Sequence, residues 1–140
     1  MGTGIERIVL DFVHAAYGER MDVDAMTALM ADDFVWQLNV PLSPIIYGRD
    51  AAPAELEKHN QLASGMVEGS EIRTVISNDD TVVVERLDVN LIAGTRVTFM
   101  SRLSSRCYDA ITCWREYWDT GDIARHLGSD PIQMFEQIGS

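Results

Sequence analysis

Two short segments in the second half of the chain place an arginine and carboxyl groups at strand-like spacing. The first contains Arg86 and Asp88, and the second contains Glu116. Side chains alternate between the two faces of a strand, so Arg86 and Asp88 share a face. If Glu116 lies on that face too, one guanidinium stands between two carboxyl groups and can keep them in different protonation states. One acid beside one base is what concerted acid–base chemistry requires.

A simpler interpretation applies to either segment alone. An arginine and an acid at this spacing more often form a solvated cross-strand pair. Two such segments with complementary charges in one run of strands weaken that interpretation. Trp114 and Trp118 share a face with Glu116 by the same alternation. They are candidate walls of a substrate pocket, although tryptophans in such places more often belong to a core or a dimer interface.

The elements that must position these residues follow from hydrophobic periodicity and capping signals. Three helices are predicted in the first half, over about residues 4–17, from Asp22 or Asp24 through Met30, and from Asp50 to about residue 64. A strand is predicted over residues 34–39, followed by a loop over residues 41–48. Four more strands are predicted over residues 72–77, 81–89, 96–103 and 111–117, with a closing helix over 119–127.

Helices followed by a meander of strands indicate the α+β class. We expect a curved, mixed but mostly antiparallel sheet around a pocket that the N-terminal helices close. The length of 140 residues fits a single domain over residues 1–140, with a core over 1–129 and a tail over 130–140.

Composition excludes several classes of partner. The chain has 11 Lys and Arg against 22 Asp and Glu, a formal net charge of −11, which argues against nucleic-acid and anionic-membrane partners. It shows no secretory signal and no membrane-spanning stretch, so a cytoplasmic location is expected. The cysteines and histidines do not have zinc-ligand spacing. A disulfide between Cys107 and Cys113 stays open, because a hairpin turn could bring the two together.

Three segments of the sequence resemble the limonene-1,2-epoxide hydrolase family. They are residues 39–42 (N-V-P-L) with 47–51 (Y-G-R-D-A), residues 85–89 (E-R-L-D-V) and residues 111–119 (I-T-C-W-R-E-Y-W-D). The resemblance spans roughly residues 5–127. It implies the cone-shaped, curved-sheet fold that this family shares with ketosteroid isomerase and many polyketide cyclases.

The resemblance also implies a mechanism, a one-step hydrolysis of an epoxide without a covalent intermediate. Glu116 deprotonates a water, Asp88 donates a proton to the epoxide oxygen, Arg86 bridges the two carboxyl groups, and Asn39 helps to hold the water. No metal and no organic cofactor are implied. The expected substrate is a small-to-medium apolar epoxide (terpenoid, steroid-like or polyketide) that is opened to a vicinal diol, and a homodimer through the open face of the sheet is expected.

The expected pocket is lined by apolar and aromatic side chains with few polar groups. Besides the catalytic residues, the substrate- and water-binding candidates are Gln37, Trp36, Trp114, Trp118 and Met30. His14 and Tyr17, on the first predicted helix, are further residues that could reach a pocket, although a structural role with satisfied hydrogen bonds is the more common one for a histidine such as His14.

The sequence departs from the family at two positions. Glu116 stands where the family has an aspartate, and the extra methylene displaces the carboxylate unless the backbone compensates. Gln37 stands where the family has a tyrosine two positions before the asparagine, with Trp36 beside it. Gln37 can still donate or accept a hydrogen bond, so a water site remains possible. These changes point to a different substrate or a different acid–base reaction.

Two alternatives to epoxide hydrolysis follow. An isomerase, cyclase, dehydratase or epoxide-rearrangement enzyme could use the same carboxyl groups in the same fold. A non-catalytic binding or dimerisation module predicts that Arg86, Asp88 and Glu116 are solvated or pair elsewhere. Separations of more than about 6 Å, or positions on opposite faces, would favour it.

Overall fold

The computed structural model describes residues 4–18, 20–63, 67–92 and 95–118. The elements are α1 (Gly4–Ala16), α2 (Val23–Ala28), β1 (Met30–Gln37), β2 (Ile45–Tyr47), α3 (Ala52–Ala63), β3 (Val67–Ser77), β4 (Thr81–Ile92), β5 (Thr95–Cys107) and β6 (Ile111–Trp118). The predicted closing helix over 119–127 and the tail over 130–140 lie outside the described residues.

The six strands form one curved sheet in the order β2-β1-β6-β5-β4-β3. All neighbours are antiparallel except β1 and β6, which are parallel. Register shifts interrupt the β1–β6, β3–β4 and β5–β6 pairings, and such irregularities bend and twist a sheet. The predicted α+β class and the mixed, mostly antiparallel sheet are confirmed.

The first helix and the start of the second agree with the sequence prediction. Helix α1 matches its prediction, and its apolar stripe packs on the sheet through Val9, Phe12 and Val13. In α2 the N-cap is Asp22, whose side chain accepts a hydrogen bond from the Ala25 N–H.

Helix α2 is shorter than predicted. It ends at Ala28, and Met30 begins β1 instead of continuing the helix. The Leu29 carbonyl accepts a hydrogen bond from the Ile111 N–H at 2.8 Å, so the chain enters the sheet there. The apolar spacing that predicted helix at Met30 reflects core burial instead.

Strand β2 was not predicted, since its residues fall in the segment interpreted as a loop. Three residues are too few to show a period, and the strand is defined by its pairing with the end of β1. The other predicted strands are all present. Strands β3, β4 and β5 are longer than predicted because cross-strand pairing extends beyond their apolar runs.

The inner face of the sheet has an apolar end and a polar end. Val82 and Val84 of β4 and Leu103 of β5 are buried at the apolar end. Further along β4, the same alternation places Arg86 and Asp88 on this inner face. One face of β4 thus carries both residues of the hydrophobic core and buried charged residues.

Candidate active site

Arg86, Asp88 and Glu116 form a hydrogen-bonded cluster, here called the ionic cluster. Arg86 Nη2 lies 3.0 Å from Asp88 Oδ2, and its Nε lies 3.3 Å from Asp88 Oδ1. Arg86 Nη1 and Nη2 lie 3.2 and 3.0 Å from Glu116 Oε1 and Oε2. One guanidinium therefore makes a two-pronged contact with each carboxyl group. The structure brings together the three residues that the sequence singled out.

The ionic cluster is buried. Arg86 and Glu116 are each 1% exposed, and Asp88 is 6% exposed. Charged groups are rarely buried to this degree unless they are paired, and removal from water opposes their ionisation. The side chains are therefore not the solvated cross-strand pair of the simpler interpretation.

The guanidinium reaches Glu116 by crossing β5. Arg86 is opposite Ser101 in β5, and Ser101 is opposite Trp118 in β6. Glu116, two positions before Trp118, is thus met diagonally across the strand. Ser101 is 1% exposed and small, so it leaves room for the arginine side chain. Sequence reasoning missed Ser101, because only the strand register shows that it lies between the two charged residues.

Burial, and not the number of hydrogen bonds, distinguishes the two carboxyl groups. Among the described residues each accepts three: Asp88 from Arg86 Nε, Arg86 Nη2 and Ser70 Oγ, and Glu116 from Arg86 Nη1, Arg86 Nη2 and Trp114 Nε1. Burial raises the pKa of Glu116 well above its usual value. Burial therefore favours the protonated form of Glu116, whereas the hydrogen bonds from Arg86 and Trp114 favour the ionised form.

Burial also acts on the arginine. It lowers the pKa of Arg86, while the charge of Asp88 and the hydrogen bonds to it raise that pKa. A guanidinium keeps its proton even in such surroundings. The site therefore holds one fixed positive charge, and the proton that can move belongs to the carboxyl groups.

Aromatic rings enclose the ionic cluster. Trp114 Nε1 donates to Glu116 Oε1 at 2.9 Å, and the Trp114 ring stacks on Trp36 with centroids 5.3 Å apart. The Tyr17 ring covers the guanidinium, with Arg86 Cζ 3.7 Å from its centroid. Trp118 packs against Phe99 at 5.5 Å. Aromatic side chains therefore contact both the guanidinium of Arg86 and the carboxyl group of Glu116.

The structure places the candidates of β1 differently from one another. Trp36 is fully buried on the inner face. Gln37 lies opposite Arg115 of β6, and its Nε2 donates to the Ser43 carbonyl at 2.9 Å, so it is not brought to the ionic cluster. Met30 begins the strand opposite Ile111 and is buried in the core, at the far end of β6 from Glu116.

Asn39 lies just beyond β1 and is held against the end of β6. Its Nδ2 donates to the Trp118 carbonyl at 3.1 Å, and the following residue, Val40, donates its N–H to the Glu116 backbone carbonyl at 2.9 Å. Asn39 is 1% exposed. The backbone contacts place it beside Glu116, while one of its amide hydrogens is used within the protein.

A separate cleft of about 610 Å³ is lined mostly by the outer face of the sheet and does not include the ionic cluster. Its lining includes Leu87, Thr98, Met100, Arg102 and Tyr117, from the outer face of β4, β5 and β6, together with Val40, Phe99 and Trp118 at the edge. This cleft has no grouping of carboxyl groups in its lining. We therefore place the chemistry at the ionic cluster.

Further features bear on partners and cofactors. In the described ranges, no group of three or more His, Cys, Asp or Glu side chains is arranged to hold a metal ion. No described helix is long and apolar enough to cross a membrane. Cys107 and Cys113 are free thiols, so the disulfide left open by the sequence is not formed. The cytoplasmic location and the homodimer stay predictions.

The fold and the site together can be compared with known proteins. The SnoaL-like domain matches residues 9–126. The chain belongs to the SnoaL-like domain family. None of the curated proteins matches it in sequence. The fold family includes isomerases, cyclases and some epoxide hydrolases.

Solved structures support the assignment of this SnoaL-like protein. A protein with a ketosteroid isomerase-like fold from Catenulispora acidiphila is 18% identical with a TM-score of 0.72, covering 91% of this chain and 96% of that one. An NTF2-like protein of unknown function from Burkholderia pseudomallei is 16% identical with a TM-score of 0.71, covering 88% and 96%. Both share the fold, which confirms the ketosteroid isomerase-like architecture.

A third similar structure is described as an epoxide hydrolase. An LEH-like epoxide hydrolase from M. tuberculosis is 28% identical with a TM-score of 0.65, covering 88% of this chain and 95% of that one. The similarity extends over nearly the whole of both chains. It places an enzyme with a stated activity among the relatives of this SnoaL-like protein.

Proposed function

We propose that this SnoaL-like protein is an epoxide hydrolase that opens a small-to-medium apolar epoxide to a vicinal diol. The observation that carries the proposal is the buried guanidinium of Arg86 held between the carboxyl groups of Asp88 and Glu116. Such an arrangement can keep one carboxyl group protonated and the other ionised. Similarity to the LEH-like epoxide hydrolase supports it.

The proposed reaction balances with these two groups and one water. The ionised carboxylate takes a proton from water while the water oxygen forms a bond to an epoxide carbon. The carbon–oxygen bond of the ring breaks, and the protonated carboxyl group gives its proton to the leaving oxygen. Ring strain assists the opening, so no side chain needs to act as nucleophile. A proton must then move from the carboxyl group that acted as base to the one that acted as acid, which restores the starting state before the next turnover.

The two carboxyl roles can be assigned in two ways. The resemblance assigns Glu116 as the base and Asp88 as the acid. The raised pKa of the buried Glu116 supports the reverse, in which Glu116 donates the proton and Asp88 activates the water. Both assignments need Arg86, and they differ in the group that must be ionised at the start.

The proposal is tested by incubation with a panel of apolar epoxides in ¹⁸O-labelled water. We expect diol products whose mass includes one added water, with a single labelled oxygen. Asp88→Asn should abolish turnover while the fold is retained, as judged by circular dichroism. Glu85→Gln, one strand position before Arg86, is the matched control and should keep the wild-type rate. Near wild-type turnover by Asp88→Asn would refute the role of Asp88.

A second candidate keeps the site and omits the water. It is an isomerase, cyclase, dehydratase or epoxide-rearrangement enzyme. Two observations favour it: Gln37 is engaged with Ser43 away from the ionic cluster, and an amide hydrogen of Asn39 is used by the Trp118 carbonyl. Both residues were expected to help hold the attacking water. Products of unchanged mass without the label, or of lower mass after dehydration, would favour this candidate.

The non-catalytic module predicted a different geometry. It predicted that the three charged side chains are solvated or pair elsewhere, whereas they are within hydrogen-bond distance on one face. Only the absence of any reaction in the epoxide panel, by hydrolysis or by rearrangement, would favour the module again.

A further inference from the structure

We propose that Tyr17 is a further residue of this site, whose hydroxyl donates a hydrogen bond to an acceptor oxygen of the bound ligand. The ligand class is an apolar molecule with one exposed oxygen acceptor, such as an epoxide or a ketone. The inference rests on the proposed function for the reaction in which this oxygen takes part. The hydrogen bond itself can be tested without that reaction.

The position of Tyr17 is fixed by the end of α1. Its N–H continues the helical pattern by donating to the Val13 carbonyl at 2.9 Å. Its ring lies over the guanidinium of Arg86, 3.7 Å from centroid to Cζ, and meets Trp114 edge-on with centroids 6.3 Å apart. Helix α1 thereby places an aromatic lid on the charged residues of the sheet.

The contacts with Arg86 and Trp114 are made by the ring of Tyr17 and do not involve its hydroxyl. Tyr17 Oη is buried and has no hydrogen-bond partner among the described residues. An unpaired buried hydroxyl is unfavourable, and a phenylalanine would cover the guanidinium without that cost. Because Oη lies in the plane of the ring, it is held beside the guanidinium. A buried polar group that the protein leaves unpaired requires an explanation, and a ligand supplies one.

Two other residues near Arg86 or Trp114 also have a buried polar atom without a hydrogen-bond partner among the described residues. Trp36 Nε1 and Ser101 Oγ are also buried without a partner in the described part of the chain. Trp36 stacks on Trp114, and Ser101 lies opposite Arg86 in the sheet. Three residues with an unpaired polar atom therefore lie next to members of the ionic cluster or to Trp114, which donates to it. Tyr17 is the strongest candidate of the three because its ring already contacts the charged group.

The chemistry of a phenol suits this role. A tyrosine hydroxyl has one O–H that can donate a hydrogen bond to an oxygen acceptor. When an epoxide opens, negative charge develops on its oxygen, and a donor already in place stabilises that charge more than the neutral ring oxygen. Tyr17 thus contributes to opening together with the carboxyl group that donates the proton.

The decisive variant is Tyr17→Phe, which keeps the ring over Arg86 and removes only the hydroxyl. We expect kcat for epoxide hydrolysis to fall about a hundredfold, as for loss of one preorganised donor. The Tm should be unchanged or higher, because the hydroxyl has no partner in the protein. Tyr108→Phe, at an exposed tyrosine, is the matched control and should change neither value. Wild-type kcat, or a lower Tm in Tyr17→Phe, would overturn the inference.

A second measurement is independent of hydrolysis. Cyclohexanone offers an acceptor oxygen on an apolar body, and its carbonyl stretching band moves to lower frequency when the oxygen accepts a hydrogen bond. We expect a downshifted band for the ketone bound to the wild-type protein, partly restored in Tyr17→Phe. An identical band in both proteins, or no binding by the wild type, would overturn the inference. If the band responds to Tyr17 but no epoxide is hydrolysed, the proposed function fails and the role of Tyr17 stands.

Discussion

Neighbouring residues of β4 form ionic contacts on opposite faces of the strand, in very different surroundings. On the outer face, Glu85 pairs with Arg102 of β5 at 2.9 Å, with the two side chains 29% and 60% exposed. On the inner face, Arg86 pairs with Asp88 and Glu116 at 3.0 Å, and the guanidinium is 1% exposed. The nitrogen–oxygen distances are therefore nearly the same on the two faces, and the exposed fraction of the side chains is what distinguishes them.

The energetic consequences of the two environments are opposite. An exposed pair is worth about 0–1 kcal/mol and is screened by salt. A buried pair loses hydration worth several kcal/mol for each ion, which the mutual attraction often fails to repay. The inner cluster is therefore a poor device for stabilising the fold. A preorganised charge in a pocket closed to water is instead what catalysis by electrostatic stabilisation uses.

The largest expected effect on stability comes from removing the arginine on the inner face, compared with removing the arginine on the outer face. Arg86→Met leaves two buried carboxyl groups without their cation, so we expect the free energy of unfolding to fall by about 3–5 kcal/mol. Arg102→Met, the matched change on the outer face, should cost less than about 1 kcal/mol. Urea unfolding at pH 7 measures both.

Arg86→Lys serves where Arg86→Met does not fold. It keeps the charge but loses the planar fork, so its stability should lie between the wild type and Arg86→Met. Equal losses at Arg86 and Arg102 would show that burial does not separate the two pairs.

The same comparison shows how far the sequence could lead. Alternation along β4 was enough to predict that Arg86 and Asp88 share a face, and the charges suggested Glu116 as their partner. The identity of Ser101 as the residue crossed by the arginine depends on the pairing of β4 with β5, which no local pattern encodes. Tyr17 required the packing angle of α1 on the sheet. Gln37 was expected near the site from its spacing to Asn39, but Trp36 takes the inner face of β1.

The second prediction uses pH to separate the inner carboxyl group from the outer one. The pKa of Glu116 is raised in the folded state above its ordinary value of about 4.5, so the folded protein binds more protons than the unfolded chain above that pH. The contribution of Glu116 to stability is complete below pH 4.5 and is lost as the pH rises through the raised pKa. Glu116→Gln should remove this loss, giving a flatter curve of unfolding free energy against pH.

The control for this curve is Glu85→Gln, which removes the same charge from the outer face and so accounts for the change in net charge. Its curve should run parallel to that of the wild type. If the wild-type and Glu116→Gln curves are parallel as well, Glu116 is not the group that holds the proton. That outcome would favour the assignment in which Glu116 is the base and Asp88 is the acid.

The smallest expected effect concerns the space beneath the guanidinium. Ser101 is buried opposite Arg86, whereas Ser104, three positions along β5, lies opposite Arg115 on β6 and is only partly buried. Ser101→Leu adds bulk in the path of the arginine and should cost about 1–3 kcal/mol, as overpacking does, together with a loss of turnover. Ser104→Leu should leave turnover unchanged.

Ser101→Ala separates bulk from hydrogen bonding at the same position. Because Ser101 Oγ has no partner in the described part of the protein, its removal should leave the free energy of unfolding unchanged or slightly higher. Lower turnover in Ser101→Ala at undiminished stability would mean that this hydroxyl contacts the ligand as well. If Ser101→Leu lowered stability and turnover no more than Ser104→Leu, the contact between Arg86 and Glu116 would not require a small residue at position 101.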